Sequence, residues 1–214
     1  MGRVETHKLK LVLITDATIR KDLGTVAEAA LRGGARTVQL REKDAGAREL
    51  FEWSARLREA IRSYGALLIV NDRLDVALAA GADGVHLGWR SLPVEEARKI
   101  VGPERVIGVS VHSVEEAAQA GKDGADYVMF GPVFDTPSKR GLVAPQGLER
   151  LAECVRAAGT PVVAVGGILP ENAPDVRRAG AAGMAVIRGL MAAASPEQKA
   201  REYLEAWERV ANGR

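Results

Sequence analysis

The chain is poor in cysteine and in aromatic side chains, and it carries almost no net charge. One cysteine, Cys154, in 214 residues excludes an internal disulfide framework. Such a residue suits a small apolar position on a helix. Aromatic residues are 4% of the sequence, too few for a platform that stacks nucleic-acid bases. Thirty basic side chains are interspersed with 28 acidic ones, for a net charge of +2. No one-sided field therefore draws the chain to nucleic acid. No apolar run approaches the length that spans a bilayer. The first residues, Met1 to Thr6, lack the apolar core of a signal peptide. These absences point to a cytoplasmic protein that works on small molecules, away from membranes.

The 47% hydrophobic content is that of an ordinary globular protein. The length suits one domain, 1–214, with a large core. Eight short, nearly continuous apolar runs recur along it: Leu11–Thr15, Thr37–Arg41, Ala66–Asn71, Gly84–Leu87, Val106–Ser110, Tyr127–Phe130, Pro161–Val165 and Met184–Ile187. Strands buried on both faces of a parallel sheet read this way. Between them lie helical patterns such as Thr25–Arg32 and Ala47–Ser63. Eight strand–helix units close naturally into an α/β fold, a single (β/α)8 TIM barrel. Gly34-Ala35, Gly81-Ala82, Gly124-Ala125 and Gly180-Ala181 each precede a strand, where a left-handed glycine ends the preceding helix. Ser195, Pro196 and Gln198 start a last helix, whose Tyr203, Leu204 and Trp207 are expected only to cover the barrel.

In such a barrel the chemistry sits in the loops after the strands. After strand two, Gln39, Arg41 and Lys43 alternate onto one side, and two cations with an amide at a barrel mouth suit a polyanion. After strand three comes Asn71-Asp72-Arg73, which reads equally as a Mg²⁺ ligand pair or as a helix N-cap. The Gly131–Gly141 loop holds Thr136, Ser138 and Lys139, fit to bind pyrophosphate or to close as a lid. Gly166-Gly167-Ile168 and Arg188-Gly189 follow strands seven and eight, where barrels commonly bind phosphate. His86 ends strand four and His112 lies just beyond strand five, and both are open to structural or acid–base roles, whereas His7 lies in the tail.

In this order the segments resemble the thiamine phosphate synthase and thiazole tautomerase (TenI) superfamily, from about Leu11 to Leu190. The resemblance rests on Val38-Gln39-Leu40-Arg41-Glu42-Lys43-Asp44, Val70-Asn71-Asp72-Arg73, Asp83-Gly84-Val85-His86-Leu87-Gly88 and Gly108-Val109-Ser110. It continues in Gly131-Pro132-Val133-Phe134, Thr136-Pro137-Ser138-Lys139 and Val165-Gly166-Gly167-Ile168. It implies a (β/α)8 transferase of thiamine biosynthesis. Such an enzyme joins hydroxymethylpyrimidine pyrophosphate to thiazole phosphate, and pyrophosphate departs before the thiazole nitrogen attacks. By resemblance, Gln39, Arg41, Lys43, Asn71 and Lys139 serve the pyrimidine and pyrophosphate. Asp72 is a Mg²⁺ ligand, and Ser110, Thr136 and Ser138 are polar contacts. Gly167, Ile187 and Arg188 serve the thiazole phosphate. Arg41, Lys43, Lys139 and His86 are the residues expected to act in catalysis, and Mg²⁺ is the expected cofactor.

The chain departs from both branches. Synthases follow His-Leu-Gly with Gln-Glu-Asp, whose aspartate is a second Mg²⁺ ligand; here Trp89-Arg90-Ser91 stand in its place. Tautomerases carry a catalytic histidine where this chain has Pro132. The intact pyrimidine-pyrophosphate set favours the synthase. A tautomerase, which aromatises a thiazole carboxylate phosphate, is the alternative, and a non-catalytic thiazole-phosphate sensor is a third reading. An exposed barrel face suits pairing, so a homodimer is the expected assembly.

Overall fold

The computed structural model describes residues 4–136 and 144–210. Eight parallel strands close into a barrel in chain order: β1 (Leu11–Ile14), β2 (Thr37–Leu40), β3 (Leu67–Asn71), β4 (Gly84–Leu87), β5 (Val106–Val111), β6 (Tyr127–Phe130), β7 (Val162–Val165) and β8 (Gly183–Val186). Around them run α1 (Leu23–Arg32), α2 (Ala47–Arg62), α3 (Leu74–Ala79), α4 (Val94–Val101), α5 (Val114–Lys122), α6 (Gly147–Ala157) and α7 (Ala173–Arg178). The short α8 (Arg188–Met191) and the closing α9 (Pro196–Glu208) follow. The strands agree with the sequence reading to within a residue at each end. Helix α1 begins two residues earlier than expected because the Asp22 side chain accepts from the Thr25 amide and starts it sooner. Ser195 caps α9 as expected, accepting from the Gln198 amide.

Gly34, Gly81, Gly124 and Gly180 all have positive φ, so the Gly-Ala punctuation ends helices as its sequence implies. At two of these sites it extends to Gly-Ala-Asp, and the aspartate acts on the preceding strand. Asp83 Oδ2 accepts from the Leu68 amide of β3, and Asp126 Oδ2 from the Ile107 amide of β5, each at 2.8 Å. The strand starts that these carboxylates hold face away from the mouth, so Asp83 belongs to the frame and not to the chemistry.

Two apolar clusters divide the core. The larger packs the helices on the barrel wall, and Cys154 of α6 is buried in it with its thiol pushed up to about 12, which leaves it unreactive. The smaller fills the barrel with Val12, Ile14, Ile69, Tyr127, Met129 and Val163. A single 3₁₀ turn, Thr6–Leu9, adds buried Leu9 to this cluster. Towards the C-terminal strand ends the buried or half-buried positions turn polar, with Thr15, Gln39, Asn71, His86 and Ser110. Among the described residues, no helix is long and apolar enough to cross a membrane.

Candidate active site

On the β2–β4 side the polar side chains form a directed chain of hydrogen bonds. Asp72 carries a carboxylate, which only accepts. The Asn71 amide nitrogen therefore turns to it, donating to Asp72 Oδ2 at 2.7 Å. That leaves Asn71 Oδ1 to accept from Gln39 Nε2 at 2.8 Å. The polarity fixed at Asp72 thus reaches Gln39, whose Oε1 is buried without a hydrogen-bond partner among the described residues. Gln39 is 1% exposed. A buried acceptor left unsatisfied costs about 1–3 kcal/mol, so this oxygen is built for a donor that arrives with a ligand.

Asp72 has a φ of 59°, a left-handed conformation that non-glycine residues adopt at a cost and that clusters at functional sites. Its amide donates to the His86 carbonyl at 2.9 Å. Asp72 Oδ1 accepts from the Gly88 amide at 3.1 Å and from the Ser91 hydroxyl. The N-cap reading of Asn71-Asp72 therefore fails: Arg73 is the residue preceding α3, and the Asp72 side chain faces the fourth loop instead.

The loop after β2 is locked to the one after β1. Glu42 accepts from Thr15 Oγ1 at 2.6 Å and from the Ala17 amide at 2.8 Å. Thr15 Oγ1 in turn accepts from the Arg41 amide at 3.0 Å. Burial raises the Glu42 carboxyl above its ordinary value, against the Thr15 and Ala17 hydrogen bonds. Glu42 thus fixes the backbone that carries Arg41 and Lys43. Arg41 is half-buried, Lys43 exposed, and neither side chain has an ion-pair partner among the described residues. Glu42 is not among the residues that the sequence alone singles out for the site. The signal was a carboxylate between two cations that does not pair with either.

His86 is 1% exposed. Its Nδ1 lies 3.0 Å from the Tyr127 hydroxyl and its Nε2 2.8 Å from Ser110 Oγ. Burial pulls it down to about 4, with the Asp72 charge opposing and Arg41 reinforcing the shift. The imidazole is therefore neutral near pH 7, and both ring nitrogens are engaged within the protein. His86 is expected from the resemblance to act in catalysis; its Nε2 is taken up by Ser110, the half-buried residue at the end of β5. His112 lies directly after β5, before the Ser113 cap of α5, with Nδ1 3.7 Å from Glu116.

On the β6–β8 side the backbone makes the site. Val133 and Phe134 amides donate to the Val165 and Gly166 carbonyls at 2.9 and 3.1 Å, extending the β6–β7 pairing beyond the barrel. Gly166 and Gly167 have φ of 94° and 66°. A Cβ on Gly167 would stand 2.5 Å from the Asp135 carbonyl oxygen and 2.6 Å from Phe134 Cβ. These glycines therefore serve the approach of one loop to the next. Asn172 fastens the turn, donating to the Gly167 carbonyl at 3.0 Å and accepting from the Leu169 amide at 2.9 Å. Tyr203 of α9 does more than cover the barrel. Its hydroxyl donates to the Ile168 carbonyl at 2.9 Å and sits where a Cβ on Gly189 would be, so it holds loops seven and eight together. Ile187 and Arg188 lead into α8, and the Arg188 side chain is exposed. Thr136 is half-buried at the end of the described sixth loop. Ser138 and Lys139 lie outside the described residues.

Among the described residues no three His, Cys, Asp or Glu side chains gather as a metal site. Asp72 offers one carboxylate with Ser91 Oγ beside it. Mg²⁺ takes one or two carboxylates plus substrate phosphates. The donor set therefore fits an ion that arrives with a diphosphate and not one held by the protein alone. Trp89, 78% exposed, lies under the Arg90 guanidinium at 4.4 Å from its ring centre.

Residues 11–190 match the family model for thiamine monophosphate synthase. The thiamine-phosphate synthase of Roseiflexus castenholzii is 48% identical over 88% of this chain and 84% of its own length. That of Syntrophomonas wolfei is 44% identical over 93% and 96%. The solved structure of thiamine phosphate pyrophosphorylase from Pyrococcus furiosus superposes with a TM-score of 0.88 at 42% identity, covering 96% of this chain and 98% of that one.

Proposed function

The chain belongs to the thiamine monophosphate synthase family, and on that premise we propose that it condenses hydroxymethylpyrimidine pyrophosphate with thiazole phosphate to give thiamine phosphate and pyrophosphate. The observation that carries this reading is the Gln39 Oε1 left without a partner among the described residues, at the end of the strand that leads into Arg41 and Lys43. An aminopyrimidine brings an N–H donor that this buried oxygen lacks, and its diphosphate brings the negative charge that Arg41 and Lys43 lack. A tautomerase has no use for either.

The reaction breaks the bond between the pyrimidine methylene carbon and the diphosphate oxygen, and the electron pair leaves with pyrophosphate. The thiazole nitrogen then gives its lone pair to the methylene carbon. Negative charge grows on the leaving oxygen, so the cations of Arg41, Lys43 and Lys139 would lower the barrier more than they stabilise the bound substrate. Glu42 and Thr15 hold the Arg41 backbone in place, sparing reorganisation during the step. Asn71 and Gln39 orient the pyrimidine. Asp72, with Ser91 alongside, would hold Mg²⁺, which when bound supplies further positive charge to the diphosphate. Gly167, Ile187 and Arg188 would take the thiazole phosphate, and Ser110, Thr136 and Ser138 would make polar contacts around the substrates. We place the enzyme in the cytoplasm, as a homodimer.

The synthase assay supplies both substrates with Mg²⁺ and measures thiamine phosphate and pyrophosphate in equal amounts. Absence of product with soluble, folded protein refutes the reading. Two controls separate the alternatives. A sensor would bind thiazole phosphate alone in titration calorimetry, whereas the synthase binds both substrates. A tautomerase would exchange a thiazole carboxylate ring proton with D₂O without the pyrimidine. We expect no such exchange, since both ring nitrogens of His86 are occupied and His112 lies beside Glu116.

A further inference from the structure

The synthase reading leaves Tyr127 unused. It is the largest fully buried side chain of the barrel interior, and it belongs to the apolar cluster that fills the barrel. In register, His86 of β4 pairs with Gly108 of β5, and Gly108 pairs with Tyr127 of β6. A Cβ on Gly108 would run into the Tyr127 ring and hydroxyl. The missing side chain on β5 therefore lets a residue of β6 reach across one strand to a residue of β4. The rings meet with centroids 5.6 Å apart.

A neutral imidazole has one donor and one acceptor nitrogen, so the Tyr127–His86–Ser110 chain has two possible directions. In one, Tyr127 donates to Nδ1, and Nε2–H donates to Ser110 Oγ. In the other, Ser110 donates to Nε2, and Nδ1–H donates to Tyr127. The second direction strands the Tyr127 proton. Among the described residues its hydroxyl has no hydrogen-bond partner other than His86, and the side chain is fully buried. Leaving a buried donor unmade is expensive. Ser110 pays no such penalty in the first direction, because it is half-buried at the mouth and its proton can turn to solvent or ligand. The buried end of the chain therefore decides the direction for the exposed end.

We infer that Tyr127 is a positioning residue: by donating to His86 Nδ1 it fixes the Nε2–H tautomer and turns the Ser110 hydroxyl outward as a hydrogen-bond donor to a lone pair of the bound substrate. A hydroxyl that already accepts an N–H is a stronger donor, and a serine turned the other way would present lone pairs to an electron-rich ligand. The kinetic half of this inference rests on the synthase reading; the tautomer itself does not.

The test has two parts. Full-length protein carrying His7→Asn and His112→Asn and labelled with ¹⁵N-histidine gives imidazole signals from His86 alone. A protonated Nε2 with a bare Nδ1 is expected, and a protonated Nδ1 overturns the inference whatever the activity. Tyr127→Phe then removes the directing proton without changing the ring. It should lose the single tautomer and lower kcat by roughly tenfold, with KM for thiazole phosphate unchanged. Ser110→Ala should lower kcat at least as far, and the double variant no further than Ser110→Ala alone. Additive losses overturn the inference, since residues acting through one another are non-additive. If Tyr127→Phe does not fold, the tautomer of the histidine-labelled parent decides alone. If the unmutated enzyme makes no thiamine phosphate, the function falls while the tautomer still judges the hydrogen-bond direction.

Discussion

On the β2–β4 side of the mouth, side chains hold one another: Asp72 orients Asn71, Asn71 orients Gln39, and Glu42 pins the backbone under Arg41. On the β6–β8 side the main chain does the holding. Loops six and seven are zipped by amide–carbonyl bonds, and Tyr203 and Asn172 buttress them through carbonyls. The first side is polar and, among the described residues, ends in groups without partners. The second is closed by packing around glycines that no side chain could replace. A site that must stabilise developing charge needs unpaired, oriented side chains. A site that only grips a phosphate can be made of backbone. The two sides should therefore fail differently.

The sharpest break comes from Arg41→Ala. It should lower product formation by about a hundredfold to a thousandfold, measured by single turnover, with the thermal midpoint unchanged. Retained turnover would mean that the unpaired cations on this side do not act on the leaving group. Gly167→Ala attacks the other side through its backbone. A methyl group at φ 66°, pressed on Phe134 and Asp135, should raise KM for thiazole phosphate by more than about tenfold and cost roughly 2–4 kcal/mol of stability. The pyrimidine KM should hold, and a fall in affinity for both substrates would show that the two sides are not separate.

Ser91→Asp sharpens the polar side further by adding a second carboxylate beside Asp72. Mg²⁺ affinity in the presence of pyrophosphate should tighten by about tenfold, read by titration calorimetry. Unchanged or weaker binding would show that the fourth loop does not meet the ion. Acid should then loosen this side first. Because His86 is pulled from 6.5 to about 4, the unfolded chain binds a proton in that window that the folded chain refuses. Stability is thus full above pH 6.5 and falls as pH drops towards 4, by about 3 kcal/mol at most. Denaturant melts across this range, compared between the parent and His86→Gln, test it, and equal slopes would contradict it. The smallest effect belongs to Tyr203→Phe, which removes one hydrogen bond to the Ile168 carbonyl. KM for thiazole phosphate should rise about threefold to tenfold, with the pyrimidine KM fixed, as steady-state kinetics would report.

The strands were legible because each is an unbroken apolar run between helical patterns, and the strand-end rule then pointed to Gln39, Arg41, Asn71 and Asp72, while Ser110 came only through the family resemblance. What escaped were residues whose partners are distant in sequence. Glu42 finds Thr15 across 27 residues, His86 finds Tyr127 across 41, and Tyr203 finds Ile168 across 35. Alternation along β6 does turn Tyr127 inward with Met129, but only the register through Gly108 brings it to His86. The aspartates of Gly-Ala-Asp were readable as a pattern and were overlooked because only the glycine was given a physical task.

The gap left by Gly108 has a consequence for how this barrel can vary. The Tyr127 ring occupies space that any larger residue at 108 would claim. A library that randomises position 108 while keeping Tyr127 should therefore yield few folded clones. Shrinking position 127 first would open the route, but at the expense of the tyrosine hydroxyl. The two positions are thus coupled in order, with a change at 127 needed before one at 108, even though 19 residues separate them along the chain.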